Sequence, residues 1–226
     1  DGGATWQSGP NPADDASNGD HSFADCAADA SGTFHLVWLD SRGAGKGLRY
    51  ANSRDGGRTW SEARRLPAGF LGPIRARPLT LADGTLLCGS STESAAEGRP
   101  WRAHFERCAH PADPFEATAW SRSAPAPGTP PFNAIQPTLV ALDDGTIAAY
   151  ARTREGVVAT TRSSDEGRSW SPLVATLLPN PNAGLEAVAL PRGRVGLHFE
   201  PQFLRGPTRG QHARGRGVCH GGQRTK

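Results

Sequence analysis

The chain of 226 residues has little of what a helical or membrane protein needs. No apolar run approaches the roughly 18 residues of a membrane helix, which excludes a helical membrane span. Long amphipathic patterns of helical period are also missing, which speaks against a helical bundle. Cysteine is sparse: Cys26, Cys88, Cys108 and Cys219 are the four, and none forms a C-x-x-C pair. Zinc and thioredoxin-type chemistry therefore have no support, and buried thiols or one disulfide stay open. Tyrosine is rarer still, at Tyr50 and Tyr150. Acidic residues are absent from 201 to 226, where six of the 25 basic residues lie. The remainder carries 19 basic against 22 acidic side chains, so the net charge of +3 belongs to the tail. A nucleic-acid surface needs a basic face on the folded domain, so nucleic acid is not an expected partner. What the chain has in plenty is glycine and proline, at 28 and 19 residues, with six Trp and eight Phe to anchor a core.

Two interleaved repeats organise it. Residues 53–60 read Ser-Arg-Asp-Gly-Gly-Arg-Thr-Trp, and residues 163–170 read Ser-Ser-Asp-Glu-Gly-Arg-Ser-Trp. Both fit S-x-D-x-G-x-[ST]-W. The opening Asp1-Gly2-Gly3-Ala4-Thr5-Trp6 is the same motif without its first two residues. Asp113 to Trp120 is a degenerate copy, stretched by two residues and lacking the Gly. Asp accepts hydrogen bonds from nearby N–H groups and holds a tight loop. Gly supplies a positive φ, and Trp folds back as an apolar plug. Asp55, Gly57, Trp60, Asp165, Gly167 and Trp170 are therefore read as structural. A calcium loop would need more carboxylates and a closing Glu, so no metal is expected.

The second repeat is a hairpin at 22–38, 75–90, 135–150 and 184–199, turning at Gly32, Gly84, Gly145 and Gly193. Those glycines are 52, 61 and 48 residues apart. Each hairpin is an alternating strand, a Gly-bearing turn and a second strand. A third strand, as at 47–52 and 156–162, runs on into the Asp turn. A repeat of about 50 residues with four short antiparallel strands predicts an all-β fold of propeller blades. Sandwiches do not repeat a turn motif at fixed spacing.

The S-x-D-x-G-x-[ST]-W turn resembles the Asp-box of sialidases and related BNR-repeat propellers. The segments HLVWLDSR, RPLTLADGTLL, IQPTLVALDDGTIAAYARTREG and LLPNPNAGLEAVAL resemble the predicted-neuraminidase branch. The resemblance covers roughly residues 1–200. It implies a sialidase-type β-propeller, six-bladed in the family, with about four blade repeats here. It also implies a site in the central depression, away from the Asp-boxes. The expected division is a partial propeller over 1–200 and a basic Gly/Arg-rich tail over 201–226, disordered or out of frame. The start inside a motif and the departing tail predict a trimmed or fragmentary sequence. Relatives are exported, so a secreted or periplasmic location is implied, although no signal peptide is visible.

Antiparallel pairing puts the start of strand one and the end of strand two of each hairpin at one edge, opposite the Asp turns. That edge collects Arg75 or Arg77, Glu93, Gln136, Arg152, Arg154, Glu186 and Asp40 with Arg42. Converging arginines suit a sugar carboxylate, because the guanidinium fork pairs with it bidentately. Sialidases clamp the carboxylate of sialic acid with three arginines and use a Tyr nucleophile with a Glu and an acid/base Asp. By resemblance Arg152 is a clamp arginine, following Gly145 by seven residues. Arg154, Arg75, Arg77, Arg42 and Gln136 are further binding candidates, and Asp40, Glu93 and Glu186 are acid/base candidates. The sequence departs from the pattern where sialidases read Glu-Pro, for Gln136-Pro137 carries an amide that cannot act as a base. No R-I-P motif is present, and no nucleophile is identified. Tyr50 and Tyr150 are read as packing between blades, and Asn180-Pro181-Asn182 as a turn.

The expectation is a sialidase-like exo-glycoside hydrolase acting on terminal acidic sugars of glycans, with no cofactor. The alternatives are a non-catalytic BNR propeller that binds glycan or protein, or an inactive fragment with open edge strands.

Overall fold

The computed structural model describes residues 10, 21–41, 47–93, 100–128 and 132–199. Arg42, Cys219, the motif copy at 1–6 and the tail 201–226 lie outside the described residues.

Within the described residues the chain is all-β, with no α-helix and one short 3-10 turn, Ala117–Ala119. The first sheet holds β1 (His21–Ala28), β2 (Phe34–Asp40), β3 (Gly47–Ser53) and β4 (Arg64–Arg65). The second holds β5 (Leu79–Thr80), β6 (Leu86–Thr92), β7 (Arg102–Cys108) and β8 (Trp120–Arg122). The third holds β9 (Ala134–Ala141), β10 (Ile147–Thr153), β11 (Val157–Ser163) and β12 (Val174–Pro179), and the fourth holds β13 (Leu185–Leu190) and β14 (Arg194–Phe199). In every sheet, chain neighbours are sheet neighbours and pair antiparallel. Three four-stranded meanders and a hairpin are the repeating blades of a β-propeller. The turn glycines Gly32, Gly84, Gly145 and Gly193 have φ of 82°, 85°, 80° and 64°, a region open to residues without a Cβ.

The second hairpin departs from the expected alternation. Its first strand is reduced to Leu79–Thr80. Arg75 sits at φ 67° in a tight turn closed by Ala76 N–H to the Ile74 carbonyl at 2.8 Å. Pro78, which lacks an N–H, then delays the ladder. Arg75 and Arg77 are therefore not strand residues aimed to one side by the pleat. The stretched motif copy also differs. The Asp113 carboxylate accepts the Phe115 N–H at 3.0 Å and pairs with Arg64 at 3.0 Å, and the 3-10 turn absorbs the added residues before β8.

The chain forms two compact units, 1–71 with 113–117, and 72–112 with 118–226. In the first, Trp38 and Ala51 form a small core, with Leu36, Trp60 and Ala63 packed on it. Cys26 is exposed, and in the second unit Cys88 and Cys108 are buried. Burial, with Glu106 beside it, pushes the Cys88 thiol up, so the thiol stays protonated and inert.

The second unit is built on the contact between the β5–β8 and β9–β12 sheets. Leu87, Ala103 and Phe105 face Leu139, Ile147, Ala149, Ala151 and Ala159. Trp170, from the turn after β11, stacks on Phe105 with centroids 3.6 Å apart at 16°. Its indole N–H donates to the Gly167 carbonyl at 3.2 Å. At Gly89 of β6 an added Cβ would collide with the Pro137 carbonyl of β9, so the two backbones meet where only glycine fits. The other face of β9 meets β13, where the Thr138 hydroxyl accepts the Ala187 N–H at 3.1 Å.

The Asp turns after β3 and β11 use one hydrogen-bond scheme. Ser53 Oγ donates to Asp55 Oδ1 at 2.8 Å, and Thr59 N–H and Oγ1 donate to Asp55 at 2.9 and 2.6 Å. Ser163 and Ser169 bind Asp165 at 2.8, 2.9 and 2.6 Å. The Thr59 hydroxyl and N–H, then Ser53, hold the Asp55 pKa at about 2. Ser169 and then Ser163 do the same for Asp165, at about 2. A carboxylate with a lowered folded pKa stabilises the fold above its unfolded pKa, and that contribution is lost as pH falls through the folded value. Melting temperature should hold steady down to about pH 4, then fall towards pH 2. Asp165→Asn should flatten that fall in pH-dependent thermal melts. Gly89→Ala should cost about 1–3 kcal/mol in denaturant unfolding, because the backbones must part.

Candidate functional site

The register fixes which end of the third sheet carries the site. On β10 and β11, Ile147 lies opposite Ser163 and Arg152 opposite Val158. Asp165 follows Ser163, so Arg152 stands at the end away from the Asp turn. On β9, Thr138 pairs with Tyr150, but Ile135 pairs with Arg152. Gln136 and Pro137 thus stand against Ala151 alone, as a bulge. Gln136 takes φ 53° there. The bulge aims its N–H at Ser91 Oγ, at 3.3 Å, and its amide Nε2–H at Glu93 Oε1, at 3.1 Å. Ser91 Oγ also donates to Glu93 Oε1 at 3.1 Å. Arg152 reaches the loop before β13, where its Nη1–H donates to the Asn182 carbonyl at 3.2 Å.

That loop is held by Asn180, which is fully buried. Its Nδ2–H donates to the Ala183 carbonyl at 3.0 Å, and its Oδ1 accepts the Ala183 N–H at 2.8 Å. Asn182 follows at φ 61°. Next to it the Arg75 guanidinium lies directly on Gly184, where any side chain would displace it. Arg75, Gly184, Leu185, Glu186, His198 and Phe199 line a cleft of about 260 Å³. Glu186 and His198 are cross-strand partners on β13 and β14. On the outer side, the Arg154 guanidinium lies 4.0 Å over the Trp101 ring and that of Arg152 lies 5.7 Å from it. Asn133 ties this rim together. Its side-chain oxygen accepts the Trp101 N–H at 3.3 Å, and its N–H and amide donate to Glu155 at 3.1 and 2.9 Å.

Strain and unused hydrogen-bonding capacity gather here. Arg75, Gln136 and Asn182 are three of the five non-glycine residues with positive φ among those described. Such backbone costs about 1–3 kcal/mol per residue and concentrates at sites. Arg152 Nε, Gln136 Oε1 and Asn182 Oδ1 are buried atoms without a hydrogen-bond partner. One donor with two acceptors can bind a hydroxyl-rich anionic group. Burial draws the Arg152 guanidinium down in pKa, Glu93 pulls it up, and Arg75 draws it down. An arginine stays charged under such shifts.

The expected residues divide accordingly. Arg75, Glu93, Gln136, Arg152 and Glu186 come together in this region. Arg154 turns to the rim at Trp101, and Arg77 is exposed away from any strand. Asp40 lies in the other compact unit, 2% exposed, with Arg49 Nε at 3.1 Å and the Trp38 indole N–H donating at 3.3 Å. Arg49 and Trp38 thus compensate this buried carboxylate, while Arg42 lies outside the described residues. Ser91, Trp101, Asn182 and His198 were not anticipated as site residues. His198 was findable, since the hairpin register sets it opposite Glu186. The buried His104–Glu106 pair at 3.1 Å, with the Gly72 N–H on Glu106 at 2.7 Å, was also missed. Tyr150, two residues before Arg152 on β10, is half-buried, and burial raises its phenol. Among the described residues no three His, Cys, Asp or Glu side chains could hold a metal ion, and no helix is long and apolar enough to cross a membrane.

The blades define a sialidase-type β-propeller fold. The chain belongs to the family of the BNR repeat-like domain, whose model matches residues 1–207. A Dyadobacter fermentans protein of unknown function superposes with TM-score 0.54 at 16% identity, over 77% of this chain and 55% of that one. A Hadza microbial sialidase superposes with TM-score 0.52 at 21% identity, over 80% and 40%. A Penicillium chrysogenum α-L-arabinanase complexed with arabinobiose superposes with TM-score 0.52 at 17% identity, over 80% and 57%. The chain therefore spans about half the length of these structures, and the likeness is one of fold. No curated protein sequence matches the chain.

Asn180→Ala removes both bonds that close the loop before β13. It should cost about 1–3 kcal/mol, read as a lower melting temperature. It should also speed amide exchange at Ala183, whose N–H it holds.

Proposed function

We propose that this chain carries part of the substrate site of a glycosidase-type propeller that acts on terminal acidic sugars of glycans, sialic acid foremost. One observation carries the reading: half-buried Arg152 keeps a buried Nε without a partner, with Arg75 close enough to act on its charge. Glu93 offsets Arg75 at this guanidinium, and the desolvated Nε–H still gains from an anion that accepts its hydrogen bond. A carboxylate pairs with that fork, and Gln136 Oε1 and Asn182 Oδ1 accept sugar hydroxyls. Glu186 in the cleft and Glu93 beside Gln136 are the carboxylates in place for proton transfer. The sialidase among the similar structures supports this reading, and the arabinanase supports glycoside chemistry on the same fold. A glycan substrate fits a secreted or periplasmic protein.

A second reading has its own observation. The Gln136 amide donates to Glu93, so an amide stands where a base would act, and it ties down the neighbouring carboxylate. That arrangement favours a propeller that binds the acidic glycan without cleaving it.

Hydrolysis of a fluorogenic sialoside and a fluorogenic arabinoside by the full chain separates these readings, with saturation-transfer NMR for binding. The first reading expects sialoside turnover, with kcat/KM lowered about 10²-fold by Arg152→Ala, as for loss of one charge-stabilising donor. Sialic-acid binding without turnover supports the second reading. Turnover of the arabinoside alone, or sialoside turnover indifferent to Arg152, would overturn the acidic-sugar assignment.

A further inference from the structure

The first compact unit holds a cleft of about 410 Å³, lined by Asp29, Ser31, Thr33, His35, Tyr50, Asn52 and Arg54. It lies where the β1–β2 turn meets the end of β3, beside the Asp55 turn. Every lining residue is polar, and three of them form a chain. Asp29 Oδ2 lies 3.0 Å from His35 Nε2, and His35 Nδ1 lies 2.9 Å from the Tyr50 hydroxyl.

Proton positions in that chain follow from its acid end. Asp29 Oδ1 accepts the Ser31 N–H at 2.8 Å, the Ser31 hydroxyl at 2.6 Å and the Thr33 N–H at 3.0 Å. The Ser31 hydroxyl, then His35, hold the Asp29 carboxyl well below the usual range. It is therefore an anion and can only accept, so His35 Nε2 carries the proton. In the neutral ring Nδ1 is then an acceptor, and Tyr50 donates its O–H to it. In that state the Tyr50 oxygen shows the cleft only lone pairs. When His35 gains a proton, Nδ1 becomes a donor. The Tyr50 hydroxyl must then accept from His35, and its own proton turns away from the ring.

Charge changes in the same direction. Arg54 and Asn52 line the cleft and have donors to offer, and the Asp29 anion offsets the Arg54 charge. Protonated His35 makes the cleft net positive. Among the described residues, the other charged groups against this face are Asp25 on β1, the Asp55 carboxylate held within its turn, and the Arg64–Asp113 pair at 3.0 Å. That pair is neutral as a unit and is separated from Tyr50 by Phe115, with ring centroids 5.6 Å apart.

We infer that this cleft is a second ligand site, one that binds a small oxyanion when His35 is protonated and releases it when His35 is neutral. The bound anion accepts from the Arg54 guanidinium, the Asn52 amide and the turned Tyr50 hydroxyl. This site is independent of the glycan reading, since it shares no residue with the Arg152 region.

The test is titration of the full chain with inorganic sulfate, following the His35 ring protons by NMR at pH 5.5 and 8.5. Sulfate should bind about tenfold more tightly at pH 5.5. By linkage, saturating sulfate should raise the His35 titration midpoint by about one pH unit. Tyr50→Phe keeps the ring packing and removes the hydroxyl, and it should weaken binding at pH 5.5 by about fivefold. Arg54→Gln should weaken it by about tenfold at either pH. Thermal melts of both variants establish that they fold. Equal affinity at the two pH values, an unmoved His35 midpoint, or wild-type affinity in Tyr50→Phe would each overturn the proposal.

Discussion

The close approach of β6 to β9 is the constraint on which the second unit depends. Gly89 lets the Pro137 carbonyl sit where a side chain would otherwise be. That contact brings Ser91 and Glu93, at the end of β6, to the Gln136 bulge on β9. It also sets the spacing into which Leu87 and Phe105 pack, so that Leu87 rests on Gly167 and Trp170 covers Phe105. Core and site are thus two consequences of one backbone contact. The core holds the sheets at the Asp-turn end, and the bulge uses the same approach at the other end.

The two ends of the third sheet have opposite electrostatic character. At the Asp turn every acceptor is used. Three donors surround the Asp165 carboxylate, the charge is compensated locally, and the loop is held for reasons within eight residues of sequence. At the Arg152 end the backbone takes left-handed φ at three non-glycine residues, and buried polar atoms keep capacity. Local order and local strain are separated along each strand, by about the length of a short β-strand. A fold that stores strain at one end needs the other end to be over-determined, and the Asp turn fills that role.

The first unit shows the same division on a smaller scale. Trp38, Ala51 and Trp60 bury one face of its sheet. The opposite face of β2 and β3 carries His35 and Tyr50, joined to Asp29 across the β1–β2 turn. Asp40 and Arg49 belong to the apolar side, where a buried ion pair costs less than an unpaired charge. One strand pair thus carries a structural carboxylate and a titratable relay, kept apart by the pleat.

The sequence by itself determined the blades, the Asp turns and which residues stand at the edge away from those turns. Those features are local: alternation over seven residues, glycine at a positive φ, and an Asp that binds its own turn. Arg152 was legible for the same reason, since it follows its turn by a fixed number of strand residues. The surroundings of Arg75 were less legible, because the tight turn at 74–76, not the pleat, sets it against Gly184. The Arg49 neighbour of Asp40 was not legible, because it depends on which residue of β3 stands beside Trp38, and that is a matter of pairing register. Trp101 and Asn182 were out of reach for a similar cause. They join the site through contacts across about 30 to 50 residues of chain, where no local periodicity reports on neighbours. Tertiary structure alone decided these, because packing of one sheet on the next chooses which loop ends meet.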